Sequence, residues 1–188
     1  MNEIIAGILE RRSVRKFTTE AVTDGEMEAI LQAASYAPTG RNTQAWYILA
    51  FLGLERIRAL DAQVKEASKV EGFDRYRDFV SSPNYSINFK NAPLFIVVGV
   101  NPEISVTPVQ DGSLVLGNIL LAAHSLGLGA CWVNQLGAIA NEPGFRKYLT
   151  GLGFPATHIL VGSAAVGRID GQPPRPSPRK HGQINVLR

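Results

Sequence analysis

DGSLVLGNILLAAHSLGLGACWV, residues 111–133, is the stretch on which the fold turns. From Asp111 to Leu126 the apolar residues Leu114, Leu116, Ile119, Leu120, Leu121 and Ala122 fall on nearly every side of the helix that their spacing predicts. A helix with no clear polar face is a buried one. In a chain of 188 residues, burying all its sides is easiest with help from a partner subunit. Gly127-Leu128-Gly129 then ends the helix, because glycine accepts the positive φ of a C-terminal cap, and Ala130-Cys131-Trp132-Val133 begins a short strand.

Working outward, Leu94-Phe95-Ile96-Val97-Val98-Gly99-Val100, bounded by Pro93 and Pro102, reads as a buried central strand. Ile159 to Gly167 reads as another. Trp46 to Phe51 is strand-like and is fed by the polar, turn-forming segment Pro38-Thr39-Gly40-Arg41-Asn42-Thr43-Gln44. Helices are expected around Ile4, Ile5, Ile8 and Leu9, and around Leu54, Ile57, Leu60 and Val64, while Asn141-Glu142-Pro143 can open another. Thr23-Asp24-Gly25-Glu26 has the form of a capping box ahead of Met27, Ile30, Leu31 and Ala34. Residues 68–92 show weak periodicity and read as a mobile excursion. The prolines of residues 171–180 remove donors and fix φ, so that tail must be extended. With no internal repeat and no second core, residues 1–188 form one α+β domain.

The composition narrows the chemistry. Apolar residues make up 45% of the chain and charged residues 19%, which is globular, and a net charge of +3 is too small for a protein that coats nucleic acid. A single cysteine, Cys131, excludes an intrachain disulfide and a thiolate-only metal site and fits a reducing cytoplasm. The first residues carry no basic region followed by an apolar core, and the apolar stretch from Leu114 to Leu128, broken by Asn118, His124 and Ser125, is too short to span a bilayer. His124, His158 and His181 lie far apart and lack metal-ligand spacing. No Gly-x-Ser-x-Gly elbow or Walker loop occurs, and Gly127-x-Gly129 lacks the third glycine of a dinucleotide fingerprint. Any catalysis would then rest on a bound cofactor.

Arg11-Arg12-Ser13-Val14-Arg15-Lys16, read as a turn after the first helix, offers cations, a hydroxyl and backbone N–H groups for a small anion. Taken alone it equally suits a solvated basic face at a helix C-terminus. Asn42 and Gln44 can each donate and accept, which suits the edge of a heterocycle, and also suits an ordinary polar loop. Trp132 could wall a planar ligand or belong to the core.

The ordered set Arg11-Arg12-Ser13-Val14-Arg15-Lys16-Phe17, Ala37-Pro38-Thr39-Gly40-Arg41-Asn42-Thr43-Gln44-Ala45-Trp46, Gly127-Leu128-Gly129-Ala130-Cys131-Trp132 and the Pro/Arg/Lys tail resembles the nitroreductase family of FMN flavoproteins along nearly the whole chain. The resemblance implies an α+β nitroreductase fold, with a central mixed sheet flanked by helices, in an intertwined homodimer. Residues 170–188 would be exchanged with the partner subunit, and Asp111 to Leu126 would be the dimer helix. FMN is the implied cofactor. By position, Arg11 and Ser13 would bind the phosphate, Arg12 the phosphate and ribityl chain, and Arg15 the N1–O2 edge. Asn42 and Gln44 would reach the flavin edge from the other subunit, Trp132 and Val133 would back the ring, and the backbone N–H groups of Asn134 and Gln135 would meet N5 and O4. Arg179 and Lys180 would close on the phosphate.

The implied activity is ping-pong, with NAD(P)H as reductant and a nitroaromatic or quinone as acceptor, and no protein acid or base is essential. Arg41, Thr43 and the aromatics Phe73, Tyr76, Phe79, Tyr85 and Phe89 would shape the acceptor side. Two departures stand out: Gln44-Ala45-Trp46 replaces the usual Gln-Pro-Trp, and Gln135 stands where many relatives have a small residue. The alternatives are a specialised flavin enzyme of the same fold (a dehydrogenase, dehalogenase or flavin-degrading enzyme) and a non-catalytic FMN or nucleic-acid binder.

Overall fold

The computed structural model describes residues 1–70, 77, 80–82, 84–89 and 91–187. Helix α1 (Glu3–Glu10) starts at Asn2, whose side chain accepts from the Ile5 amide. Helix α2 (Asp24–Ser35) opens on a reciprocal capping box, in which the Thr23 hydroxyl accepts from the Glu26 amide and the Glu26 carboxylate accepts from the Thr23 amide. Then follow β1 (Trp46–Leu52), α3 (Leu54–Ala67), β2 (Leu94–Val100), α4 (Pro108–Ser125), β3 (Gly129–Val133), α5 (Gln135–Ile139), α6 (Pro143–Gly151) and β4 (Ile159–Gly167). The five-residue α5 is too short to show a helical period and was not expected from the pattern.

The strands lie in the order β1-β2-β4-β3, each pair antiparallel, with Trp46 opposite Val100, Leu94 opposite Val166 and Val133 opposite Ser163. Among the described residues the parallel component of the sheet is one isolated bridge, between Ser13 and Ala130. Helices cover both faces. Val115, Leu116, Ile119 and Ala123 of α4 pack with Ile30 and Ala34 of α2 on one side, and Ile57, Leu60 and Val64 of α3 pack with Leu136, Ile139, Phe145 and Leu149 on the other. This is why β2, although antiparallel, is a continuous apolar run: every one of its residues is buried.

Within a single chain α4 is covered on one side only. Gly112 lets it approach β4 closely, since a Cβ there would lie 2.7 Å from Val161. Its other side leaves Val109 and Leu114 exposed and, with the exposed Ile4 and Ile8 of α1, borders a groove of about 860 Å³. Beyond Asp170, whose amide donates to the Lys16 carbonyl, residues 171–187 have no regular structure and are exposed.

The arginine segment departs from expectation. Residues 11–17 form an extended stretch instead of a turn, because the free edge of β3 offers it partners: the Val14 amide donates to the Ala130 carbonyl, and Phe17 bridges Ile169. No helix among the described residues is long and apolar enough to cross a membrane, and those residues hold no group of three His, Cys, Asp or Glu side chains placed for a metal ion.

Candidate cofactor site

Two basic side chains and a hydroxyl converge on the edge of β3. Burial pushes the Cys131 thiol up, while the charges of Arg15 and Arg11 and a hydrogen bond with Ser13 act in the opposite direction, so all three groups lie within reach of one β3 side chain. Arg12 behaves differently: its Nη1 donates to the carbonyls of Leu9 at 2.6 Å and Arg11 at 2.7 Å, which closes the C-terminus of α1. That is the helix-capping role that cations favour at this end of a helix.

Two residues further along β3 from Cys131, about 7 Å at the rise of a strand, a cavity of about 190 Å³ opens at Val133. Gln135 borders it from α5, and Tyr85, Ile87 and Phe89 border it from the segment before β2. That segment is anchored to α3, where the Asp61 carboxylate accepts from the Ile87 amide at 2.9 Å and pairs with Lys65 at 2.8 Å. Burial, reinforced by the Asp61 charge, pushes the Tyr85 phenol far up, so it stays protonated and neutral. Phe89 holds a φ of 53°, an outlier for a bulky side chain, and Gln135 Oε1 is buried without a hydrogen-bond partner. Trp132 alternates with Val133 and points to the opposite face, where its ring packs over Gly162 with the α2/α4 core. Asn134 is exposed beside the cavity-lining pair. Phe73, Tyr76 and Phe79 lie outside the described residues.

The loop carrying Asn42 and Gln44 lies elsewhere. It precedes β1, at the opposite edge of the sheet from β3 and beyond the other ends of the strands. Four strand spacings across, the last from β3 to the Ser13 stretch, and about eight residues along put it roughly 30 Å from Ser13. Arg41, Asn42 and Gln44 adopt φ of 56°, 52° and 48°, the left-handed region. Asn tolerates that region, whereas Arg and Gln give no sequence signal for it. Gln44 donates to Asn42 Oδ1 at 3.3 Å, and the nearby Thr43 Oγ1 and Trp46 Nε1 are buried without partners. Below the loop Asp111, 2% exposed, accepts from Ser105 Oγ at 2.6 Å, Thr107 Oγ1 at 3.0 Å and the Gly40 amide at 3.0 Å. In the sequence Asp111 reads only as a helix start. The available signal was one carboxylate on an otherwise apolar helix, behind the hydroxyl pair Ser105-x-Thr107.

The structure thus brings Arg11, Ser13, Arg15, Val133, Gln135, Tyr85 and Phe89 to one edge of the sheet, and Arg41, Asn42, Thr43 and Gln44 to the other. Arg179 and Lys180 stand exposed on the tail.

Two basic side chains, a hydroxyl and an apolar cavity thus lie along one edge strand of an α+β fold, and a polar loop lies at the opposite edge. The model of the Nitroreductase family matches residues 8–168, and the chain belongs to that family. A nitroreductase with bound FMN from Bacteroides fragilis superposes with a TM-score of 0.92 over all of both chains at 31% identity. A nitroreductase with bound FMN from Desulfitobacterium hafniense superposes with a TM-score of 0.84 over all of both chains at 28% identity. The NADPH-flavin oxidoreductase of Vibrio harveyi is 28% identical over 99% of this chain and 73% of its own.

Proposed function

We infer that this chain is an NAD(P)H-dependent FMN oxidoreductase. The observation that carries the inference is the fit of one strand edge to such a cofactor: Arg11 and Ser13 at one end, an apolar cavity with a buried acceptor lacking a donor at the other, and Arg15 between them on the stretch that runs parallel to β3. Bound there, FMN supplies a carrier that takes a hydride from NAD(P)H and returns two electrons to a small acceptor of the nitroaromatic or quinone type.

Arg11 and Ser13 hold the phosphate, with charge-assisted bonds from the guanidinium. Arg12 has its Nη1 committed to the end of α1 and meets the phosphate only with its remaining nitrogens. Arg15 places a fixed positive charge by the N1–O2 edge, where negative charge accumulates on reduction, and so raises the reduction potential. The backbone N–H groups of Asn134 and Gln135 meet N5 and O4. Val133 walls the ring, and Trp132 supports the strand from behind. Tyr85 and Phe89 bound the acceptor side, along with Arg41 and Thr43 from the second chain.

The assembly is a homodimer. If Asn42 and Gln44 touch the same FMN as Arg11 and Ser13, the two sets must come from different chains, because their separation in one chain is longer than the cofactor. The exposed apolar side of α1 and α4 is the natural contact face. Residues 170–188 cross to the partner, where Arg179 and Lys180 close on the phosphate. A cytoplasmic location fits the single buried cysteine.

The test is a visible spectrum of the purified protein followed by stopped-flow reduction with NADH and NADPH and reoxidation by nitroaromatics and quinones. Bound flavin, nicotinamide-dependent bleaching and acceptor-dependent recovery are expected. A colourless protein that takes up no added FMN would end the proposal.

A further inference from the structure

We propose that Asp111 is a positioning residue for the cofactor: its carboxylate latches the Gly40–Gln44 loop to the first turn of α4 and so aims Asn42 and Gln44. The inference rests on the reading of those two side chains as flavin contacts.

Three of the four residues from Arg41 to Gln44 hold left-handed φ without being glycine. Strained backbone of this kind persists only where its surroundings over-determine it. The restraints within the loop are local: the Asn42 amide donates to the Thr39 carbonyl, the Thr43 amide to the Gly40 carbonyl and the Gln44 amide to Thr39 Oγ1. Asp111 supplies a tether from 71 residues away. Asp111 is itself held from behind. Ser105 and Thr107 both donate to it, and the Ser105 hydroxyl also accepts from the Thr107 amide at 3.0 Å. The fit is tight, since a Cβ at Gly40 would lie 2.8 Å from Thr107 Oγ1. A buried carboxylate with all its bonds to neutral donors beneath a strained loop gives the loop one stable position.

The experiment measures FMN and riboflavin affinity of the full-length protein, hydrogen exchange at the Gly40 to Gln44 amides, and the potential of the bound flavin. Asp111→Ala should speed exchange in the loop, weaken FMN and riboflavin together by about tenfold, the size expected for lost hydrogen bonds to a charged group, and shift the potential. The ratio of riboflavin affinity to FMN affinity should stay constant, because the phosphate contacts are on the other sheet edge; Arg11→Ala, which weakens FMN alone, should raise that ratio. Asp111→Asn, whose side-chain carbonyl still accepts from Gly40, should restore most of the affinity. If Asp111→Ala does not fold, Thr107→Val removes one of the three bonds and should show a smaller change of the same kind.

Combining Asp111→Ala with Asn42→Ala should weaken FMN no further than Asp111→Ala alone. Wild-type affinity in Asp111→Ala, or additive losses in the double variant, would overturn the latch while leaving the loop as a cofactor contact. Unchanged affinity in both Asn42→Ala and Gln44→Ala would instead overturn the reading beneath it.

Discussion

Arg15 and Arg179 are both basic, yet different experiments should expose them. Arg15→Ala should keep the fold and the flavin but lower the flavin potential and slow reduction by NAD(P)H, a change read by potentiometry against wild type. Equal potentials would remove Arg15 from the ring edge. Arg179→Ala should leave the potential in place and weaken FMN retention, seen as flavin lost on gel filtration. Acid should test two carboxylates. Glu26 is held below the usual range chiefly by its backbone bond with Thr23; in Asp111 burial pushes upward, but the bonds from Ser105, Gly40 and Thr107 prevail. A carboxyl whose folded pKa lies below its unfolded one adds stability that is complete above the unfolded value and is lost as pH falls through the folded one. Thermal midpoints should therefore hold down to about pH 5 and fall below about pH 4, and Glu26→Gln should flatten part of that fall. At this scale the sequence spoke unevenly. Arg11, Ser13 and Arg15 were readable as a basic cluster, whereas the link from Asp111 to Gly40 and the turned-back Arg12 are products of long-range folding and side-chain geometry that no spacing encodes.

At the level of elements, the helices and strands with clear periodicity or turn residues were readable: the Thr23 box, the Gly127 stop at φ 73°, the Pro143 start and the β-branched β2 all stand where their chemistry puts them. The extended form of the arginine stretch is not legible locally, because it is imposed by the edge of β3, more than a hundred residues away. The packing of α4 on β4 makes a further prediction. Gly112→Ala must push against Val161, and overpacking of this kind costs about 1–3 kcal/mol. A melting temperature several degrees lower is expected, with flavin content unchanged; a wild-type melting curve would show that the helix can shift freely.

For the whole molecule, helices on both faces of a sheet followed from the order of the runs, and α4 is buried on one side only although its sequence is apolar nearly all round. The tail had no periodic signal beyond its prolines. Its last apolar residues remain open to solvent, with Ile184 88% and Leu187 90% exposed. Deleting residues 171–188 should leave the secondary structure seen by circular dichroism but yield a smaller species on sedimentation that loses FMN readily. An intact, flavin-loaded dimer would remove the tail from the interface.

The distance between Ser13 and the Asn42–Gln44 loop has one more consequence. When each cofactor is gripped by two polypeptides, loading obeys mass action in protein as well as in FMN. Dilution should then discharge flavin, so that activity per milligram falls as the enzyme is thinned, and free FMN should draw subunits together. The nucleotide would work as the mortar of the assembly as well as its redox centre, tying the quantity of active enzyme to the flavin supply.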